Sequence, residues 1–172
     1  MKRASDSLPV LCPTLRQIRK AFPDAAMMKF RAGDEIFAEN TMAHSLFYVT
    51  AGKVQIYRKL KNGNRLFLAR LQKGDFLGEM ALLAGGRRSA NARAESPVEV
   101  LELRFDRLAS LIAKKHPLAG EIGLYTSALL AERMQHVLSL LVKEAEKRPA
   151  PPGRKNIELP YFLKQVYSSV AV

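Results

Sequence analysis

Gly74-Asp75-Phe76-Leu77-Gly78-Glu79-Met80-Ala81-Leu82-Leu83-Ala84-Gly85-Gly86-Arg87-Arg88-Ser89-Ala90-Asn91-Ala92 sets a glycine-carboxylate pair ahead of a one-turn helix former, a Gly-Gly loop, and a basic-hydroxyl pair entering a strand. That order of residues suits a phosphate. N–H groups at the start of the short helix point at an anion, and Gly78 lets a ligand approach the backbone closely. The Arg88 guanidinium can make two parallel charge-assisted bonds to phosphate oxygens, to which Ser89 adds a hydroxyl and an N–H. Glu79 cannot bind a phosphate, and accepting a hydrogen bond from a ribose hydroxyl is its natural task. Taken singly, Glu79 reads as a surface carboxylate and Arg87-Arg88 as a solvated pair. The fixed spacing reverses that for Glu79 and Arg88, and Arg87 stays solvated.

Outward from this segment, Met28 to Phe105 consists of short β-rich runs separated by turn residues at spacings of roughly ten, the pattern of an antiparallel sandwich or barrel. Gly33-Asp34, Ala51-Gly52, Asn62-Gly63, Lys73-Gly74-Asp75 and Ser96-Pro97 supply the turns, and Asn-Gly is the strongest hairpin signal among them. The runs between them predict strands at Met28 to Arg31, Glu35 to Ala38, Ser45 to Thr50, Lys53 to Leu60, Arg65 to Leu71, Asp75 to Leu77, Ala90 to Ala94 and Val98 to Arg104. Val54 with Ile56 and Val98 with Val100 show the alternation of a half-buried strand. The expected fold is mainly β with flanking α: an eight-stranded antiparallel, jelly-roll-like β-roll followed by a long C-terminal helix.

On the N-terminal side, Thr14 to Phe22 makes a short helix with Leu15, Ile18 and Phe22 on one side, stopped by Pro23. On the C-terminal side, Asp106 is expected to cap a helix through Ile112, and Pro117 to open a second one running toward Glu146. Leu130, Met134, Val137 and Leu141 follow spacings of four, three and four. Such a seam packs on a partner helix across a two-fold axis or on its own domain, and a helix that outruns a small roll favours the partner. Arg148-Pro149-Ala150-Pro151-Pro152-Gly153 reads as a linker, and Lys155 to Val172 is too short to bury its own core. The expected organisation is an N-terminal segment 1–27, a roll 28–116, a long coupling helix 117–147, and a linker with tail 148–172.

The 172 residues, 48% hydrophobic and 26% charged, have ordinary globular composition and exclude wholesale disorder, collagen-like repeats and a disulfide-dense mini-protein. No signal-type apolar core follows Lys2 and Arg3 and no apolar run reaches membrane length, so a cytoplasmic protein with no membrane partner is expected. The net charge of +12 attracts phosphate, on nucleic acid or on a small ligand, without choosing between them. Cys12 has no partner for a disulfide, and Cys12-Pro13 lacks a second ligand for haem. His44, His116 and His136 show no ligand spacing, so neither a metal nor another cofactor is expected. No catalytic elbow, Walker loop or supported carboxylate pair is present, and an enzyme is not expected. A metal enzyme of the cupin-like class would need histidines that are missing.

Gly78-Glu79-Met80-Ala81-Leu82-Leu83 followed by Arg88-Ser89-Ala90 closely resembles the phosphate-binding cassette of cyclic nucleotide-binding domains. Phe30-Arg31-Ala32-Gly33-Asp34-Glu35-Ile36-Phe37, Leu46 to Val54 and Leu71 to Phe76 are similar to that family's glycine-punctuated strands, and the likeness spans roughly Phe30 to Leu141. The resemblance implies a β-roll binding cAMP or cGMP through Gly78, Glu79, Met80, Ala81, Arg88, Ser89 and Ala90, with arginine and backbone donors on the phosphate and glutamate on the ribose 2′-hydroxyl. In the family a hydroxyl beside the cassette arginine can serve guanine, which Ser89 allows, while polar residues on the long helix can reach adenine, which Gln135 or Ser139 offers; family frequency favours cAMP. The layout is similar to bacterial Crp/Fnr-type regulators, whose central helix dimerises, which implies a homodimer through Leu130, Met134, Val137 and Leu141. Some 20 residues after the linker fall short of a complete winged helix-turn-helix, so DNA is a possible partner but a doubtful one. Two functions follow: a ligand-gated regulator of transcription, or a stand-alone module that docks on a protein partner.

Overall fold

Thr14 caps the first helix of the structure, a computed structural model that describes residues 12–147. Its hydroxyl accepts from Gln17 N at 3.3 Å while Thr14 N donates to Gln17 Oε1 at 2.9 Å, a reciprocal capping box that starts α1 (Leu15–Ala21). Eight strands follow: β1 (Met27–Phe30), β2 (Glu35–Phe37), β3 (Ser45–Ala51), β4 (Lys53–Lys59), β5 (Arg65–Gln72), β6 (Phe76–Leu77), β7 (Asn91–Ala94) and β8 (Val98–Arg104). A short helix α2 (Glu79–Ala84) interrupts them, and α3 (Phe105–Ala113) and α4 (Pro117–Glu146) complete the described chain.

The strands form two antiparallel four-stranded sheets, ordered β1-β8-β3-β6 and β2-β7-β4-β5. This is the expected mainly β roll with flanking helices. The first sheet is covered on both faces, which explains why β3 reads as a continuous apolar run. Leu46 and Tyr48 of β3, with Leu101 and Leu103 of β8, join the core that takes Ile18 of α1, Leu108 of α3 and Ile122 of α4. Phe47, Val49, Val98 and Val100, of opposite parity, face the second sheet, where Val54, Leu71, Ala92 and Ala94 meet them. Each such Leu, Ile or Val contributes on the order of 1.5–3 kcal/mol on leaving water.

Several expected boundaries move by a residue. Asp75 belongs to a turn, its carboxylate accepting from Gln72 N at 2.8 Å, and Ala90 precedes β7. Asp106 is not the helix cap: the cap lies two residues earlier, at Arg104, which makes no side-chain cap bond, and α3 starts at Phe105. Asp106 instead lies in the first turn, where its carboxylate takes the Arg107 N–H at 2.6 Å and the Arg104 guanidinium at 2.6 Å. The alternation read at Val54 and Ile56 ends there, because the β4–β5 register shifts after Ile56. Leu68 is the extra residue on β5, and Tyr57, next after Ile56, is 3% exposed with the Arg65 guanidinium carbon 4.8 Å from its ring centre. Gly52, at φ +83°, has no alternative, since a Cβ would sit 2.1 Å from the Pro97 carbonyl oxygen.

The chain divides after Leu130 into two compact units. In the first, Leu118, Ile122, Tyr125 and Leu129 of α4 are buried. In the second, which holds the rest of α4, Met134 and Val137 are 64% and 51% exposed, and Leu138, Leu140 and Val142 are also open to water. No helix among the described residues is long and apolar enough to cross a membrane. The expected linker and tail, 148–172, lie outside the described residues.

Candidate functional site

The site is built around a left-handed turn. Gly78, at φ +87°, redirects the chain from β6 into α2, whose first residue is Glu79. Two more glycines in left-handed conformation, Gly85 and Gly86, end α2, with Gly86 N donating to Ala81 O at 2.9 Å. The chain then runs back beside the loop after β2. Ala43 N donates to Gly86 O at 2.7 Å, Arg88 N to Thr41 O at 2.9 Å, and Asn40 N to Arg88 O at 2.8 Å. Arg87 Nη1 adds a bond to Asn40 O at 2.6 Å, which leaves that side chain exposed and engaged with the loop.

These ties turn Arg88 inward. Its side chain is 4% exposed, and the guanidinium carbon lies 4.2 Å from the Phe37 ring centre and 5.2 Å from that of Phe47. Nη1 is buried with no hydrogen-bond partner. Glu79 is 2% exposed. Burial pushes the Arg88 guanidinium below the ordinary arginine range, and the carboxylates of Glu102 and Glu79 oppose that shift. A buried cation facing two carboxylates and two aromatic rings, with donor capacity unused, is a receptor for an anion that brings its own hydroxyl groups.

Gly78, Glu79 and Arg88 are thus brought together, with Ala81 and Ala90 buried around them. Met80 and Ser89 are on the exposed side, where the Ser89 hydroxyl donates to Met80 Sδ at 3.2 Å. Gln135 and Ser139 lie in the second unit on exposed positions of α4, and of the apolar seam Met134 and Val137 are exposed while Leu130 and Leu141 are half-buried. His44 and His116 serve local structure: His44 O accepts from Phe105 N at 2.9 Å, and His116 Nδ1 accepts from Leu118 N at 3.2 Å. Among the described residues no cluster of His, Cys, Asp and Glu could hold a metal ion.

Phe37, Phe47 and Glu102 were not singled out by their sequence context. Glu102 pairs with Phe47 across β3 and β8. Its inward parity, shared with Val98 and Val100, is the signal that would have found it.

Residues 27–115 match the cyclic nucleotide-binding domain family. The chain is 35% identical over 122 residues to the cyclic AMP receptor protein of Thermus thermophilus, covering 69% of this chain and 55% of that one. It is 34% identical over 107 residues to the cAMP-dependent protein kinase regulatory subunit of Neurospora crassa, covering 60% of this chain and 27% of that one. Among solved structures it is similar to the Thermus thermophilus catabolite activator protein, with a TM-score of 0.64 at 30% identity, over 77% of this chain and 60% of that one. The chain spans about half the length of the bacterial relatives it matches. A family match over the whole roll, on a fold that buries Glu79 and Arg88 at the Gly78 turn, establishes that this chain belongs to the cyclic nucleotide-binding domain family.

Proposed function

We propose that this chain is a cyclic nucleotide sensor that binds cAMP in preference to cGMP at the Gly78–Ala90 segment. The observation that carries this reading is the Arg88 Nη1 group, buried and without a partner beside Glu79. Leaving such a donor unsatisfied costs about 1–3 kcal/mol, which a cyclic phosphate offsets by accepting the bond as an anion. Ser89 adds its N–H and hydroxyl, Glu79 accepts from the ribose 2′-hydroxyl, Gly78 allows close approach, and Met80, Ala81 and Ala90 complete the wall. Ser89 is the contact available to guanine, and Gln135 or Ser139 those for adenine. No chemistry is performed on the ligand, and the site needs no cofactor.

Binding serves regulation in the cytoplasm. The segment 28–116 is the sensing module and 117–147 the helix that reports on it, paired with a second copy through Leu130, Met134, Val137 and Leu141. Control of transcription is supported by the likeness to the cAMP-activated global transcriptional regulator CRP of Escherichia coli, 32% identical over 108 residues. The second reading, a module that reports to a protein partner without binding DNA, is favoured by the likeness to a kinase regulatory subunit.

Equilibrium dialysis with cAMP and cGMP tests the proposal, alongside Arg88→Ala. Losing a hydrogen bond to a charged group removes roughly 1.5–3 kcal/mol, so the variant binds about ten- to a hundredfold more weakly. A variant that binds as tightly as the parent overturns the phosphate assignment, and a tenfold preference for cGMP overturns the choice of base.

A further inference from the structure

We infer that Phe37 and Phe47 are positioning residues of the site: they hold the Arg88 guanidinium by its face, so that the N–H groups at its edge stay available to an anion. The other engaged arginines are held differently. Arg58 donates to Glu39 at 2.8 Å, Arg70 to Glu95 at 2.6 Å, Arg93 to Gly33 O at 2.8 Å, and Arg107 to Ala21 O at 3.1 Å, so their N–H groups are taken up by the protein itself. Arg104 donates likewise to Asp106 at 2.6 Å. Arg88 Nη1 has no such bond among the described residues, and two ring faces lie close to the cation.

Chemistry makes this arrangement specific to arginine on aromatics. A guanidinium is planar, with an apolar face that stacks and an edge that carries all five donors. Stacking therefore uses none of the hydrogen-bonding capacity. The Phe37 and Phe47 ring centres are 6.0 Å apart with their planes only 19° from parallel, and the cation lies within 5.2 Å of both. Arg65, by contrast, lies over Tyr57 at 4.8 Å but in an exposed position, where water screens the contact. A salt bridge in place of the rings would fix Arg88 equally well, yet would consume the donors the ligand needs.

This inference rests on the reading of the site as a cyclic nucleotide receptor, and the experiment separates the two. Phe37→Leu keeps an apolar residue at a half-buried position and removes the ring, whereas Phe37→Tyr keeps the ring face. With cAMP in equilibrium dialysis, Phe37→Leu is expected to bind about two- to thirtyfold more weakly than the parent, the range of a cation–π contact, and Phe37→Tyr to bind like the parent. The free proteins provide a second measurement. The Arg88 Nε–Hε resonance, assigned by its absence in Arg88→Lys, is expected to be displaced upfield by the ring currents in the parent and to move back in Phe37→Leu. Phe37→Leu binding as tightly as the parent, or Phe37→Tyr binding as weakly as Phe37→Leu, overturns the inference. Failure of the parent to bind any cyclic nucleotide overturns the reading of the site instead, and the stacked cation is then decided by the resonance: a position like that of a solvated arginine overturns it, a ring-shifted one supports it.

Discussion

Nη1 of Arg88 occupies the space that a side chain at residue 78 would need: a Cβ added to Gly78 would lie 2.1 Å from it. The left-handed turn and the buried cation therefore depend on each other. Gly78→Ala would both strain the φ of +87° and push the guanidinium off its rings. The left-handed conformation alone costs a non-glycine residue roughly 1–2 kcal/mol. The variant is expected to melt lower by several degrees and to bind cAMP at least tenfold more weakly, measured by differential scanning calorimetry and equilibrium dialysis. An unchanged melting temperature with parental affinity would show that the turn tolerates a side chain.

Glu79→Gln separates the ribose from the phosphate. The amide keeps the size of the carboxylate at this buried position but loses its charge. Affinity for cAMP is expected to fall by about tenfold or more, while affinity for the 2′-deoxy analogue changes little. Equal losses for the two ligands in a competition assay would remove Glu79 from the ribose.

Alkaline conditions should weaken the helical side of the roll. Tyr125, fully buried on the inner side of α4 with its ring tilted at 60° to that of Phe76 at 5.6 Å between centres, has its ionisation pushed well above the ordinary tyrosine range by burial, with Cys12 and Asp75 adding to it. Burial raises Cys12 and Tyr48 as well. Groups protonated longer in the folded state than in the unfolded chain contribute stability that is fully present below their unfolded values and lost as pH rises through the folded ones. The urea midpoint is therefore expected to hold near neutrality and to decline from about pH 9 upward. Tyr125→Phe should decline less steeply over that window, and a parental slope in the variant would assign the alkaline loss elsewhere.

The exposed Met134 and Val137 offer a test of assembly. Two large exposed apolar groups, flanked on the seam by the half-buried Leu130 and Leu141, are unfavourable in water by about 3 kcal/mol or more, and a two-fold pairing buries each against its own copy. The parent is expected to be a dimer by static light scattering, and Met134→Glu with Val137→Glu a monomer that keeps its far-ultraviolet circular dichroism. Nucleotide can shift such a pair only by binding one arrangement more tightly, so dimer affinity should change on adding cAMP. A parent monomeric at high concentration with and without nucleotide rules out the pairing.

What could be read from sequence divides along physical lines. The Asn62-Gly63 hairpin, the Gly74 turn and the full extent of β8 were legible because turn chemistry and strand alternation are local. The Leu68 bulge was not, since it is set by how β4 and β5 fit the roll. Asp106 looked like a cap because its type suits one, but Arg104 and Arg107 claim its oxygens. At the site, the spacing of Gly78, Glu79 and Arg88 drew attention to residues that the fold brings together. What lies under Arg88 was invisible, because Phe37 and Phe47 reach it from strands some fifty and forty residues earlier and nothing local ties them to it.

The sheet formed by β1, β8, β3 and β6 serves as a party wall between two cores, since alternate residues of β3 and β8 belong to one or the other. Neither core owns a wall that the other can do without. Melting of the helices would strip Leu46, Tyr48, Leu101 and Leu103 of cover and loosen the same backbone that holds Phe47, Val49, Val98 and Val100 in place. Residues 12–130 accordingly have no half-folded refuge: the helical side and the roll interior are expected to be lost in one cooperative transition.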